Sequence, residues 1–532
     1  MTIAADLPDD IDALKAMVLA AQSRAALQDD VIERKEARLV QLEKLVADFR
    51  RALFGARSEK ACPEQFALAL EDIETAQAAL HAEDEAEDRL AGRPPRRRKA
   101  NRGSLPKHLP RIEEVIEPAS TVCGCGAERH VIGEDVCERL DIIPARFRVI
   151  VTRRPKYACR ACEDGIVQAP APARLIPGGM PSEASVAHVM VSKYADYLPL
   201  YRQAQIYSRQ GIDLDRSTLA DWVGRGAFEL RPLHEALLAE LKRSSKLFMD
   251  ETRAPVLDPG RRKTRTGYFW ALARDDRPWG GSDPPGVVFT YAPGRAGLYA
   301  ERILEGFTGT LQVDGYTGYN RLARRAGQGI ELAFCWAHAR RKLHEVAQAG
   351  KAPIAEEGLR LINALYGIEK EIRGQDPAAR VAQRQARSKP VLDSFDMWLM
   401  QNRSRVSSKS PLGEALKYIA RHRDGLLRFL EDGRIELDNN TVERSIRPIA
   451  LTRKNALFAG HEAGAENWAM IASLIETCKL NAVDPHAWLS DTFKAIAGGH
   501  RQSDIDALLP WNYKGSWQRE DGHEHRRDQG HA

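Results

Sequence analysis

The chain has 532 residues, with 79 Lys+Arg against 74 Asp+Glu and a formal net charge of +5; at about 100–200 residues per domain, its length predicts about three or four domains. Hydrophobic residues at 43% and charged residues at 29% exclude collagen-like, fully disordered and disulfide-scaffold classes. No run of about 18–20 apolar residues offers a membrane span, and residues 1–10 are acid-rich without the basic and apolar regions of a secretory signal, so a cytoplasmic protein without a membrane partner is expected.

Steps of 3 and 4 counted back from Leu53 meet Phe49, Val46, Leu42, Leu39, Lys35, Ile32, Gln28, Ala25, Ala21, Val18, Leu14 and Ile11. Only Lys35 and Gln28 are polar, and so long a seam predicts a coiled coil that joins copies of the chain. The alternative is a long helix folded back on its own domain. An acidic run from Glu83 to Asp88 then meets a basic one containing Arg96, Arg97, Arg98 and Lys99, interrupted by Pro94 and Pro95. The prolines make this a linker, and its cations fit a phosphate backbone.

Five of the eight cysteines fall between 123 and 162, which in a cytosolic chain argues for metal rather than disulfides. Cys159 and Cys162 have knuckle spacing, while Cys123 and Cys125 are one residue tighter than usual. The expected structural Zn²⁺ ligands are Cys123, Cys125, Cys159 and Cys162, with Cys137 or His130 as possible replacements. Next, residues 200–209 and 218–228 read as two helices separated by Gly211, with Ser217 as N-cap. That is a helix-turn-helix outline in which Arg216 and Ser217 are candidate DNA contacts.

The chemistry is expected from Lys246 onward. An apolar strand at 247–249 ends in Asp250 and extends through 254–257; strands at 267–273 and 286–291 complete an antiparallel meander. A helix at 296–307 crosses to a strand at 310–313 ending in Asp314, and 330–334 is a fifth strand. This is the ribonuclease-H-like order. Two aspartates at one sheet edge would hold Mg²⁺ or Mn²⁺. Glu443 completes the set, on a short helix capped by Asp438 or a neighbouring Asn and limited by Pro448, with Arg444 and Arg447 beside it to hold a phosphodiester. Glu251 rivals Asp250 but should face the other way in an alternating strand.

The residues Leu53-Phe54-Gly55, Leu105-Pro106-Lys107-His108-Leu109, Arg153-Arg154-Pro155-Lys156-Tyr157-Ala158-Cys159, Asp250-Glu251-Thr252, Val313-Asp314-Gly315-Tyr316, Cys335-Trp336-Ala337-His338-Ala339-Arg340-Arg341 and Asn439-Asn440-Thr441-Val442-Glu443-Arg444 resemble bacterial insertion-sequence transposases of the IS-sixty-six group nearly end to end. The tight Cys123-Gly-Cys125 pair departs from that group's Cys-x-x-Cys. The resemblance implies a DDE triad of Asp250, Asp314 and Glu443 binding two Mg²⁺ or Mn²⁺ ions, with His338, Arg340 and Arg341 on DNA. Cys335 and His338 alone are not expected to bind zinc.

The fold expected is multidomain α/β plus α: a ribonuclease-H-like catalytic core with a helical insertion, preceded by a coiled coil, a zinc-binding segment and a helix-turn-helix-like region. Its divisions are an N-terminal helical region at 1–90, a basic linker at 91–120, a zinc-binding domain at 121–178, the helix-turn-helix-like region at 179–243, the catalytic domain at 244–495 with an insertion at about 343–433, and a polar tail at 496–532. Implied partners are the element's terminal repeats, target DNA, further copies of the chain and accessory proteins of the same element; the implied setting is the bacterial cytoplasm, at the nucleoid when acting. The implied reaction is cleavage at element ends and transfer of the 3′ hydroxyl into a target. Two alternatives stay open: a zinc-dependent DNA-binding regulator with an inactive core, and a nuclease of this fold that does not join ends.

Overall fold

A computed structural model of the chain describes residues 10–22, 63–92, 105, 107, 109–143, 146–160, 165–258, 263–324 and 329–515. Two compact units divide it, Met1–Ala61 with Asp258–Lys263, and Cys62–Leu257 with Thr264–Ala532. In the first, a helix over 11–22 starts at Asp10, whose carboxylate accepts from the Asp12 and Ala13 amides at 3.3 and 3.4 Å. The expected seam from Ala25 to Leu53, the basic residues Arg96 to Lys99, Cys162 and the tail beyond 515 lie outside the described residues.

In the second unit a helix, Pro63–Leu90, packs against the helix Arg216–Leu241. The approach is close: a Cβ added at Gly224 would lie 2.1 Å from the Thr75 carbonyl oxygen. Arg225 bridges to Glu85 at 2.8 Å and Arg216 to Glu74 at 2.9 Å. Glu71, fully buried, accepts from the Leu200 and Tyr201 amides at 3.1 and 2.8 Å. It thereby satisfies the first turn of the helix Leu200–Arg209, which begins after Pro199 and has no side-chain cap of its own.

Four strands form the first sheet: β1 (Arg111–Val115), β2 (His130–Ile143), β3 (Arg146–Ala158) and β4 (Ile166–Gln168). β3 is central, parallel to β1 and antiparallel to β2 and β4. β2 bridges Pro181 through Leu140 and is tied to the helix Glu183–Tyr194, where Ser182 Oγ donates to Asp141 at 2.7 Å and Arg139 pairs with Glu183 at 3.2 Å.

The second sheet comprises β5 (Lys246–Asp258), β6 (Lys263–Arg274), β7 (Gly286–Ala292), β8 (Gly309–Val313) and β9 (Ile330–Phe334), in the order β7-β6-β5-β8-β9. β6 and β7 are antiparallel, whereas β5, β8 and β9 run parallel. The helix Gly297–Ile303 makes the crossover before β8. β5 continues past Asp250 to Asp258, in line with its expected extension through 254–257; it is the pairing with β8 that stops at Phe248↔Gln312. Along β7 the helix Glu462–Leu480 takes the place of a further strand. Thr477 Oγ1 accepts from the Val287 amide at 3.1 Å and Ser473 Oγ from the Phe289 amide at 2.7 Å, so these groups of the edge are covered. Trp468, Ile471, Ala472 and Ile475 lie in the main core.

A second core gathers Trp336, Leu343, Ile362, Leu365, Phe395, Leu416, Ile419 and Phe429. It belongs to the helices Trp336–Gln348, Pro353–Ile372, Lys389–Arg405 and Pro411–Arg421 and to the short helical turn Arg428–Leu430 that carries Phe429, which fill the expected insertion. Arg384 holds its base, pairing with Glu369 at 2.7 Å and donating to the Phe429, Asp432 and Ile435 carbonyls.

Candidate active site

The two aspartates are brought level by strand register. Asp250 and Asp314 each lie two residues past the last paired position of the parallel strands β5 and β8, Phe248↔Gln312, so both carboxylates arise where the strands part. Each is anchored by a backbone amide: Glu251 N–H donates to Asp250 Oδ1 and Tyr316 N–H to Asp314 Oδ1, both at 2.8 Å. The second bond closes a tight turn through Gly315, whose φ of +88° L side chains rarely adopt and whose missing Cβ would stand 2.8 Å from Tyr418 Oη.

Glu443 arrives from far along the chain. The insertion leaves and returns at one point, where Trp336 N–H donates to the Leu437 carbonyl at 2.8 Å and Asn439 N–H to Cys335 Sγ at 3.4 Å. The returning strand is clasped by Gln312 of β8, whose amide donates to the carbonyls of Glu436 at 2.6 Å and Asp438 at 3.0 Å. The helix Asn440–Ala456 then begins with Asn439 as N-cap, and Asp438 Oδ1 accepts from the Asn440 amide at 3.1 Å. Pro448 does not limit this helix as expected but lies within it. A proline takes one bond from a helix without preventing the remaining turns from packing, and Ile446 and Ile449 on either side are buried.

Burial pushes the Asp250 carboxyl up to about 8, with the charges of Glu251, Asp314 and Glu443 acting in the same direction. Glu251 is otherwise occupied: it accepts from Tyr319 Oη at 2.6 Å and pairs with Arg295. Arg295 in turn stacks over the Tyr316 ring at 3.9 Å. Glu443 faces His338 at 3.8 Å and Arg341 at 3.9 Å. Burial lowers the His338 pKa, against the pull of Asp314 and Glu443. Glu443 Oε1 and His338 Nδ1 are buried without a hydrogen-bond partner.

The remaining cations divide. Arg341, Arg444 and Arg447 are exposed, the last two on the helix that carries Glu443. Arg340 donates to Asn363 at 3.1 Å and, with Arg341, His344 and Tyr366, lines an open pocket beside Asp438 and Asn440. Arg216 and Ser217 stand apart, at the start of the helix Arg216–Leu241. That helix is longer than expected and begins at Asp215 rather than Ser217; Arg216 is engaged by Glu74, and one face of the helix, from Leu219 to Leu241, is buried. Sequence reasoning missed Gln312. Its signal was a polar amide within the apolar strand Thr310-Leu311-Gln312-Val313.

In the first sheet the thiols of Cys123, Cys125 and Cys159 lie within 4.8 Å of one another. The tight Cys123-Gly-Cys125 spacing works because the segment is itself a turn, with Gly126 N–H donating to the Cys123 carbonyl at 2.9 Å. Cys137 does not join the group. It pairs with Thr152 in the middle of the β2–β3 hairpin and accepts from Arg174 at 3.0 Å, so it cannot replace a ligand. His130, opposite Ala158, instead accepts from Arg160 at 3.0 Å.

Residues 178–467 match the family model described as the Transposase IS66 family, and 473–511 the IS66 C-terminal element. Residues 120–163 match the zinc-finger binding domain of transposase IS66, and 41–113 a model described as transposase C of IS166 homeodomain. The uncharacterized proteins y4qI and y4jD of Sinorhizobium fredii are each 46% identical to this chain, covering 96% and 91% of it and 98% and 96% of their own lengths. The chain belongs to the IS66 transposase family. No helix among the described residues is long and apolar enough to cross a membrane.

Proposed function

We propose that the protein is a DNA transposase with a ribonuclease-H-like core, which cleaves DNA at the ends of its element and transfers the freed 3′ hydroxyl into target DNA. The observation that carries this reading is the level placement of Asp250 and Asp314 on adjacent parallel strands, with Glu443 close enough to raise the proton affinity of Asp250. Family membership supports it. The residues suit hard divalent cations: three carboxylates repel one another at one edge, and the buried Glu443 Oε1 has no hydrogen-bond partner. Asp250, Asp314 and Glu443 would hold Mg²⁺ or Mn²⁺, which supplies water activation and stabilisation of the leaving 3′ oxygen.

The protein's own groups do the positioning. Glu251 holds Arg295 by an ion pair and is itself held by Tyr319, and Gln312 holds the base of the Glu443 helix to β8. Arg341, Arg444 and Arg447 would neutralise the phosphodiester on one side of the acids, His338 would contact it as a hydrogen-bond donor, and Arg340 would do so from the adjoining pocket. The basic residues Arg96, Arg97, Arg98 and Lys99 would add contacts without sequence preference. Cys123, Cys125 and Cys159, with Cys162 as fourth ligand, would hold a structural Zn²⁺. Self-association through the N-terminal seam is supported by Ile11 and Val18, both exposed, and suits a reaction on paired ends; accessory proteins of the same element would act beside it.

The test is strand transfer in vitro, with a labelled end from the repeats flanking the gene, a plasmid target and Mg²⁺ or Mn²⁺. Joined product from wild type but not from Asp314→Ala is the expected result. Nicking without joining would replace the reading with a nuclease, and binding without chemistry with a silent regulator.

A further inference from the structure

Behind Glu443 lies a second group of ligand atoms. Cys335 Sγ, a ring nitrogen of His338 and a Glu443 oxygen lie within 4.8 Å of one another. Cys335 is fully buried at the N-terminus of the helix Trp336–Gln348, His338 stands one turn further along, and Glu443 comes from the facing helix. Sequence showed only the pair Cys335 and His338, too few for a site; the fold adds the third ligand.

Three features make this more than proximity. Glu443 Oε1 and His338 Nδ1 are buried without hydrogen-bond partners, so each has capacity left over. Cys335 Sγ accepts the Asn439 N–H at 3.4 Å, the kind of bond that steadies a metal-bound thiolate. The donor set of one sulfur, one imidazole and one carboxylate prefers zinc over magnesium or manganese. Zinc bonds of about 2.0–2.3 Å would set these atoms about 3.3–3.7 Å apart; the three ligand atoms already lie within 4.8 Å of one another.

We infer that Cys335, His338 and Glu443 form an inhibitory site for a thiophilic divalent cation such as Zn²⁺, which captures the carboxylate that the catalytic ions need. Binding exchanges the Cys335 S–H proton, released to solvent, for an S–Zn bond, and water completes the tetrahedron. His338 and Glu443 are part-exposed, so the ion enters from the catalytic face. The site exists whatever reaction the acids perform; only its inhibitory consequence rests on the function proposed above.

Two measurements on the full chain test it. Co²⁺ is titrated into wild type and Cys335→Ala, and the difference in thiolate-to-cobalt absorption is taken; Cys123, Cys125, Cys159 and Cys162 are common to both and cancel. A saturable difference of one ion per chain is expected, retained in Asp314→Ala. In parallel, Zn²⁺ is titrated against Mn²⁺-supported cleavage. Cys335→Ala, and Cys335→Ser as the closer isostere, should need at least about tenfold more Zn²⁺ for half-inhibition. No cobalt difference would overturn the site. A cobalt difference with equal zinc sensitivity would overturn its inhibitory role. A cobalt difference in a protein that cleaves nothing would uphold the site while removing the transposase reading.

Discussion

Gln312 and Glu436 hold each other by both polar ends: the Gln312 amide donates to the Glu436 carbonyl at 2.6 Å, and its oxygen accepts from the Glu436 N–H at 3.2 Å. One buried side chain thus stands in for a strand partner between β8, which delivers Asp314, and the segment that delivers Glu443. The helices of the insertion intervene in sequence but not in space.

Gln312→Ala should therefore cost more than an ordinary strand substitution. It leaves buried carbonyls at Glu436 and Asp438 without their donor, a loss of roughly 1–3 kcal/mol. A lowered urea midpoint together with DNA cleavage reduced at least about tenfold is expected. Unchanged cleavage at full stability would show that the clasp does not position Glu443.

Asp250→Asn, Asp314→Asn and Glu443→Gln keep size and the accepted backbone bonds while each removes a carboxyl group that can ionise to hold a cation. Because the three charges oppose one another, each variant should be at least as heat-stable as wild type while losing cleavage by about a thousandfold or more. Thermal unfolding and a nicking assay measure the two together; a variant that loses stability and activity in parallel would point to a structural acid.

Metal removal should separate the two cysteine-bearing regions. With Cys123, Cys125 and Cys159 closing the end of the β2–β3 hairpin, a chelator should loosen that sheet and expose the hairpin to protease, while the sheet carrying Asp250 stays folded. Cys159→Ser should behave as chelated protein does. Identical proteolysis with and without chelator would argue for ordinary buried thiols.

Acid should destabilise the protein through two histidines. Burial, with the charge of His486 adding to it, lowers His188 to about 4; burial lowers His234 to about 4, opposed by its bond to the Phe289 carbonyl. The unfolded chain binds these protons near pH 6.5, so between about 6.5 and 4 it holds more of them than the folded state does. Stability is complete above that window and falls as pH is lowered through it. The urea midpoint should be lower at pH 5 than at pH 7, and less so in His188→Gln. Equal pH dependence in variant and wild type would exclude His188 as a source.

Much of the site was legible because its parts are local. Strands punctuated by Asp250 and Asp314, the knuckle at Cys159 and the polar run around Glu443 are each visible within a few residues. The limits of the reading are equally specific. Pro448 reads as a stop because its local cost is visible in the sequence and the packing of Ile446 and Ile449 is not. Arg216 and Ser217 stand out in a helix-turn-helix outline, but one face of its second helix is buried and held against Pro63–Leu90 by ion pairs of wide sequence separation.

Residue order alone determined which strands form, which acids end or interrupt them, and which thiols cluster, since these follow from alternation, turn chemistry and spacing along one stretch of chain. Tertiary structure decided what meets across distance: that Asp250 lies level with Asp314 because strand pairing stops there, that Gln312 grips Glu436, and that Cys335 and His338 gain Glu443 as a neighbour. Such meetings are set by parallel pairing and by the return of a long insertion to its starting point. Neither leaves a periodic mark in the sequence, because the energy that fixes them comes from buried polar groups finding partners that only the folded chain brings within reach.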